Sequence, residues 1–255
     1  MRFFLSADAW PVDEAEAVLD PAESRHAASV LRVQPGDEVD VFDGHGRVAG
    51  AEVAVTGKKE VRLRLGPVRT VPRPVGRLVL AVAVPKGSTM EWIIEKAVEL
   101  SASEIVPLLT RRTVVRLDPA ERGERQRKWE RVAIEACKQC GQNWLPRVHP
   151  PQPLAEALTA APPREAAWPL VACLQPDARP LIEVLRVPGT AGARPDSPAP
   201  PAAAIWIGPE GDFAPEEYAL LRAAGLRPVS LGPIILRVET AALFCLSVLR
   251  HEQAR

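Results

Sequence analysis

Residues 204–213 read A-I-W-I-G-P-E-G-D-F, and residues 229–246 read V-S-L-G-P-I-I-L-R-V-E-T-A-A-L-F-C-L. Each stretch starts as a short apolar run, breaks at a glycine turn and leads into a segment with helical spacing. Two strand–turn–helix units this close together imply a ligand held at strand ends by backbone groups, the place where open α/β sheets bind cofactors. The turns do not match G-x-G-x-x-G, and they lack the lysine and Ser/Thr of a phosphate-binding P-loop. What remains is a backbone-lined pocket, built from 208–211 and 231–236, suited to a nucleoside-like ligand.

Working back from that stretch, residues 78–84 (L-V-L-A-V-A-V) are almost continuously apolar, as in a strand buried on both faces. A helix expected over 90–100, with Trp92, Ile93, Ala97 and Leu100 inward, and a strand at 104–109 complete a βαβ unit, so the sheet is parallel. A helix is expected over 129–142, with Trp129, Ala133, Cys137 and Cys140 inward. Shorter elements follow at 154–158, 170–174 and 181–185. A Pro/Ala/Gly loop at 187–202 is too poor in apolar side chains to order itself. Strands at 204–207 and 227–231 and helices at 215–223 and 241–250 close the chain.

The first 72 residues have a different pattern. Short alternating strands surround one helical segment at 21–31, and D-G-H-G at 43–46 marks a hairpin. A small β-barrel is expected there, with a proline-rich boundary at 70–76 and an α/β domain over 73–255.

Composition is that of an ordinary soluble globular chain, 47% hydrophobic and 25% charged with zero formal net charge. Charge names no partner globally, but residues 73–150 carry 14 basic and 9 acidic side chains, so a phosphate-binding surface is best sought there. Arg122, Arg125, Arg127, Lys128 and Arg131 crowd one helix with interleaved glutamates. That pattern fits either an RNA phosphate surface or a salt-bridged solvent face. Arg25, His26 and Arg32 are spaced to share part of a helix face, again for phosphate or for solvent. Arg112 directly follows a strand, where functional loops emerge. Cys137 and Cys140 form a CxxC with no second ligand pair, so no metal site is expected. No run of about 18 apolar residues suggests a membrane span, and no secretory leader is evident, so a cytoplasmic, membrane-free protein is expected.

The pair I-G-P-E-G and L-G-x-x-I-L-R-x-E-T-A resembles the ribosomal small-subunit methyltransferase E family, a branch of the SPOUT class. H-A-A-S-V-L-R, M-E-W-I-I-E-K-A-V-E-L, R-T-V-V and E-A-C-K-Q-C-G-Q-N extend the likeness over nearly the whole chain. The resemblance implies a PUA-like barrel, a C-terminal trefoil knot, a homodimer, and S-adenosyl-L-methionine (SAM) as methyl donor. It also implies methylation of N3 of one uridine in 16S rRNA of the small subunit or its precursor. Asp212 stands where the family usually has a second glycine, and Gln142 where it often has arginine.

On that reading, Gly208, Pro209, Glu210, Gly211 and Gly232 offer backbone groups to the donor, and Leu174, Ile207, Leu231, Ile235 and Leu236 form apolar walls. Arg112 and Arg237 would stabilise the uridine anion, with Glu239 or Glu210 as the nearest carboxylate. RNA would meet Arg25, His26, Arg32, Arg112, Arg125 and Lys128. Two alternatives stay open: the same chemistry at another RNA position, and a non-catalytic RNA-binding factor in ribosome assembly.

Overall fold

A computed structural model of the chain describes residues 1–11, 16–57, 59–163, 166–186 and 202–254. The expected loop at 187–202 lies outside these residues except for Ala202. Two compact units emerge, Met1–Arg73 with Ile134–Leu145, and Pro74–Ala133 with Pro146–Arg255.

In the first unit, β1 (Arg2–Phe4), β2 (Glu16–Val18), β3 (Glu38–Phe42), β4 (Arg47–Thr56), β5 (Val61–Leu65) and β6 (Arg69–Thr70) form one mixed sheet. Its order is β1-β3-β4-β5-β2, with β6 on β4. Alternation does what the sequence suggests: Val39, Val41, Val53, Val61 and Leu63 turn inward onto Phe3, Leu5 and Trp10. The β3–β4 hairpin closes through Asp43, whose Oδ1 accepts from His45 N at 2.7 Å and Arg47 N at 3.0 Å. Gly46 adopts φ +95°, and a Cβ there would lie 2.6 Å from the Trp144 ring. The segment expected as one helix over 21–31 is split. Helix α1 (Pro21–Arg25), capped by Asp20, passes into a single π-helical turn, His26–Leu31, which ends at Arg32 with φ +56°. Arg32 is therefore the left-handed residue that stops the helix, not a member of its face.

The second unit is built on an eight-stranded sheet. Its strands are β7 (Leu78–Ala83), β8 (Glu104–Leu109), β9 (Arg147–Val148), β10 (Gln152–Pro153), β11 (Trp168–Ala172), β12 (Arg179–Pro180), β13 (Ala203–Ile207) and β14 (Arg227–Ser230). The order is β10-β8-β7-β13-β11-β14-β12, with β9 on β8, and every pairing is parallel. All six β7 residues and all five of β13 are buried, as strands covered on both faces require. One face packs Val79, Ala81, Val106, Leu108, Val171 and Trp206 against α4 (Leu154–Ala160) and α6 (Pro215–Ala223). Helix α7 (Val238–Gln253) packs on β7, β13 and α2 (Thr89–Glu99). Helix α5 (Leu181–Arg186) follows β12.

Two inward assignments change. Trp92 on α2 is 41% exposed, while Met90, Ile93, Ile94, Ala97 and Val98 are buried. Helix α3 runs over Pro119–Cys140, starting ten residues before the expected 129, and its last residue, Cys140, is exposed while Cys137 is buried. Burial pushes the Cys137 thiol up to about 12, so it stays a protonated core group.

Strand order creates the functional edge. β13 enters between β7 and β11, and β14 lies on the other side of β11. Ala172 ends β11 and pairs with Ile207 on one side and Val229 on the other. Three carboxyl ends therefore meet, which is the crevice position for a ligand in a parallel sheet.

Candidate active site

The turns that leave those strand ends line a cleft open to solvent, with a cavity volume of about 80 Å³. Leu174, Ile207, Gly208, Pro209 and Glu210 line one side, and Leu231, Gly232, Ile235 and Leu236 the other. The structure thus brings together the two glycine turns that sequence spacing paired. Gly208 has a concrete reason to be glycine: a Cβ would lie 3.1 Å from the Phe213 ring and 3.2 Å from its backbone N. Gly232 sits at φ +126°, a region side chains disfavour.

Gly211 does not line the cleft. It is covered by Arg112, whose Nη1 donates to the Gly211 carbonyl at 2.6 Å and to that of Phe213 at 3.4 Å. The R-R-T turn holding Arg112 is fixed from below. Thr110 N donates to Thr113 Oγ1 at 3.0 Å, and the two buried hydroxyls lie 2.8 Å apart. Buried Glu217 ties this turn to the next one: its Oε1 accepts from Arg111 N and its Oε2 from Ala214 N, both at 2.8 Å. Glu216 pairs with Arg111 beside it.

Arg237 and Glu239 do not line the cleft either. Arg237 is exposed and caps α7 in extended backbone, while Glu239 is half-buried in the first helical turn. The apolar wall between them and Leu231 includes Ile234 and Ile235, 69% and 76% exposed.

Five lining residues escape a motif-based reading: Ala172, Cys173, Asp212, Val238 and Ala241. The first ends β11 and the second follows it, a signal that was available. Asp212 was legible only as an odd residue in a glycine turn. Its Oδ1 accepts from the Tyr218 hydroxyl at 2.6 Å and from Phe213 N at 2.9 Å. Burial, then the bond to Asp212, holds the Tyr218 hydroxyl far above the ordinary phenol value, and burial also raises the neighbouring Cys173 thiol. Both therefore stay protonated and serve as fixed polar groups.

None of the other basic residues assigned to RNA is among those lining the cleft. In the second unit Lys128 bonds Glu91 at 2.7 Å, and Arg122 lies 3.8 Å from Glu156. Arg125, Arg127 and Arg131 share an open groove with Lys128, and no ion pair engages these three among the described residues. In the first unit Arg25 is exposed and His26 half-buried.

Comparison with known proteins places this geometry. Residues 71–250 match the family described as RNA methyltransferase domain, and residues 19–66 match RNA methyltransferase PUA domain. The chain is 33% identical to ribosomal RNA small subunit methyltransferase E of Synechocystis sp., over 92% of this chain and 72% of that one. It is 27% identical to the Bacillus subtilis protein of the same name, over 98% and 96%. A Legionella pneumophila protein described as a methyltransferase, solved with bound SAM, superposes with TM-score 0.85 at 30% identity, over 98% of this chain and 96% of that one. Ribosomal RNA small subunit methyltransferase E from Neisseria gonorrhoeae, solved with S-adenosyl methionine, superposes with TM-score 0.82 at 27% identity and the same coverage. With its PUA-like first unit and its all-parallel second one, the chain belongs to the ribosomal RNA small subunit methyltransferase E family.

Proposed function

We propose that the protein methylates N3 of one uridine in 16S rRNA of the small ribosomal subunit or its precursor, using SAM. The observation that carries this reading is the cleft where β11, β13 and β14 end, walled by residues of the turns at 208–212 and 231–236, with Arg112 clamped across the first turn. Its lining suits the donor. Glycine backbone and apolar walls fit an adenosine, and the charged lining residues are Glu210 and Asp212, with no cationic side chain among them. Such a lining favours a cation and disfavours phosphate.

SAM, when bound, supplies an electrophilic methyl group on a sulfonium. The chain's own residues must then handle the uridine. Its N3–H gives up a proton, and Glu239, at the start of α7, is the carboxylate assigned to receive it, with Glu210 second. Arg237 and Arg112 offset the negative charge left on the uracil oxygens. The target base leaves its stack to enter. Arg25, His26, Arg32, Arg112, Arg125 and Lys128 are assigned to the RNA, with 1–72 as its accessory domain and 73–255 as the catalytic one.

The SPOUT knot, the homodimer and the cytoplasmic setting belong to the same reading. The insertion of β13 between β7 and β11, with β14 beyond, supports the knot; the exposed Ile234 and Ile235 support a second copy covering that edge.

The test separates donor binding from transfer. Arg237→Ala should leave SAM affinity within about twofold by calorimetry and slow methyl transfer to small-subunit rRNA by on the order of 100-fold. Transfer at the wild-type rate would remove Arg237 from the chemistry. Mass spectrometry of rRNA from cells with and without the protein identifies the modified nucleotide.

A further inference from the structure

Asp212 is an unusual residue to find on the cleft wall. It adopts φ +64°, a left-handed conformation that costs most side chains strain and that glycine occupies freely. Strain of this kind, kept beside a ligand cleft, points to a use for the side chain. The carboxylate is also rigidly held. Both of its bonds, from Tyr218 Oη and from Phe213 N, fall on Oδ1, so Oδ2 has no hydrogen-bond partner among the described residues. Tyr218 is itself fixed, buried on α6 with its ring packed edge-on against Phe213 at 5.6 Å. Glu210, the other carboxylate on the lining, is exposed and forms no ion pair among the described residues. Among the described residues lining the cleft there is therefore one anchored carboxylate, one exposed carboxylate and no cationic side chain.

We propose that Asp212 makes the cleft charge-selective, favouring the sulfonium-bearing donor over its neutral thioether product, S-adenosylhomocysteine. This rests on the SAM reading above and adds a specificity-determining residue to it. The two ligands share the adenosine, the ammonium and the carboxylate; they differ by the methyl group and the positive charge on sulfur. Backbone groups and apolar walls recognise what is common to both. A fixed carboxylate in a partly desolvated cleft is the element able to respond to the charge. Spent product would then be held less tightly than fresh donor, which limits product inhibition.

Calorimetric titration of wild type, Asp212→Asn and Asp212→Gly with SAM and with S-adenosylhomocysteine tests this. Asparagine keeps an Oδ1 acceptor for Tyr218 and Phe213 and tolerates the left-handed backbone, so it removes the charge and little else. Glycine fits the backbone and serves as the second variant should asparagine disturb the turn. Thermal unfolding of each variant checks the fold. Expected is a loss of about tenfold in SAM affinity with a change of at most about twofold for S-adenosylhomocysteine, in both variants. Equal weakening of the two ligands, or unchanged SAM binding, overturns the assignment. Wild-type protein that binds neither ligand overturns the donor reading and this assignment with it.

Discussion

Glu217 spends both carboxylate oxygens on backbone N–H groups, one in the turn after β8 and one before α6. Buried charge is tolerated there because each oxygen is met by a donor. Replacing it with alanine leaves the buried Ala214 N–H without its partner, at a cost of about 1–3 kcal/mol, and also releases the Arg111 N–H. Glu217→Ala should therefore lower the urea midpoint and, by loosening the Arg112 turn against Gly211, weaken SAM binding in the same preparation. Unchanged calorimetry would uncouple that turn from the cleft. Gly208 is the second sensitive residue. Gly208→Ala puts a Cβ 3.1 Å from Phe213, tighter than ordinary contact, so the ring must yield into the cleft wall. The expected result is donor affinity reduced by roughly tenfold with little loss of stability, read by calorimetry and thermal unfolding. Neither role was visible in the sequence equally. Gly208 announced itself through its motif, whereas Glu217 showed only as an acid suited to a helix N-terminus: its bond from Ala214 N is local, but the one from Arg111 N comes from a turn 106 residues away.

At the level of elements, the buried strands were readable because a sheet covered on both faces leaves no polar alternation to misread. Helix α6 begins and ends at the expected residues for a related reason, since Pro215 and Gly225 punctuate it. Helix α3 was read too short. Its first ten residues have charges on every side, so no apolar stripe marks them, and the helix is set instead by the Asp118–Glu121 cap, with reciprocal bonds of 2.8 and 2.9 Å. That charged half also divides into tied and free cations. Lys128 is committed to Glu91, whereas Arg125 is not engaged in an ion pair among the described residues. If this helix meets rRNA, Arg125→Ala should reduce the slope of log affinity against log salt by about one, and Lys128→Ala by less. Filter binding across a salt series separates the two. The π-helical turn at His26–Leu31 had no sequence signal at all, since the spacing of its alanines fits an ordinary helix equally well.

Across the second unit as a whole, half-buried charges are paired at the edge opposite the cleft. Glu104, at the amino end of β8, accepts from Arg77 Nε at 2.9 Å and sits 3.0 Å from His149 Nε2; Arg77 immediately precedes β7 and His149 immediately follows β9. The His149 hydrogen bond, working against burial and helped by Arg77, draws the Glu104 carboxyl from its ordinary 4.5 down to about 2. A folded value below the unfolded one means the ionised form stabilises the fold above about pH 4.5, and that contribution drains away as pH falls toward about 2. Urea midpoints between about pH 5 and pH 3 should fall for wild type and fall less for Glu104→Gln, which starts from lower stability. Equal slopes would show the cluster to be electrostatically idle.

The order of strands at the cleft has a consequence for how the chain acquires its ligand. β11, β13 and β14 are adjacent in the sheet yet begin at residues 168, 203 and 227, and the last wall comes from α7. Pairings between distant parts of a chain close late in folding, because loop entropy is lost before contact energy returns. A ligand that needs all three turns has nothing to grip in the folding transition state. Added SAM should therefore leave the refolding rate constant unchanged and slow unfolding alone, by the full factor that mass action allows. Stopped-flow refolding and unfolding with and without SAM measure both arms. For this protein the donor would act as a brake on leaving the native state and not as a guide toward it.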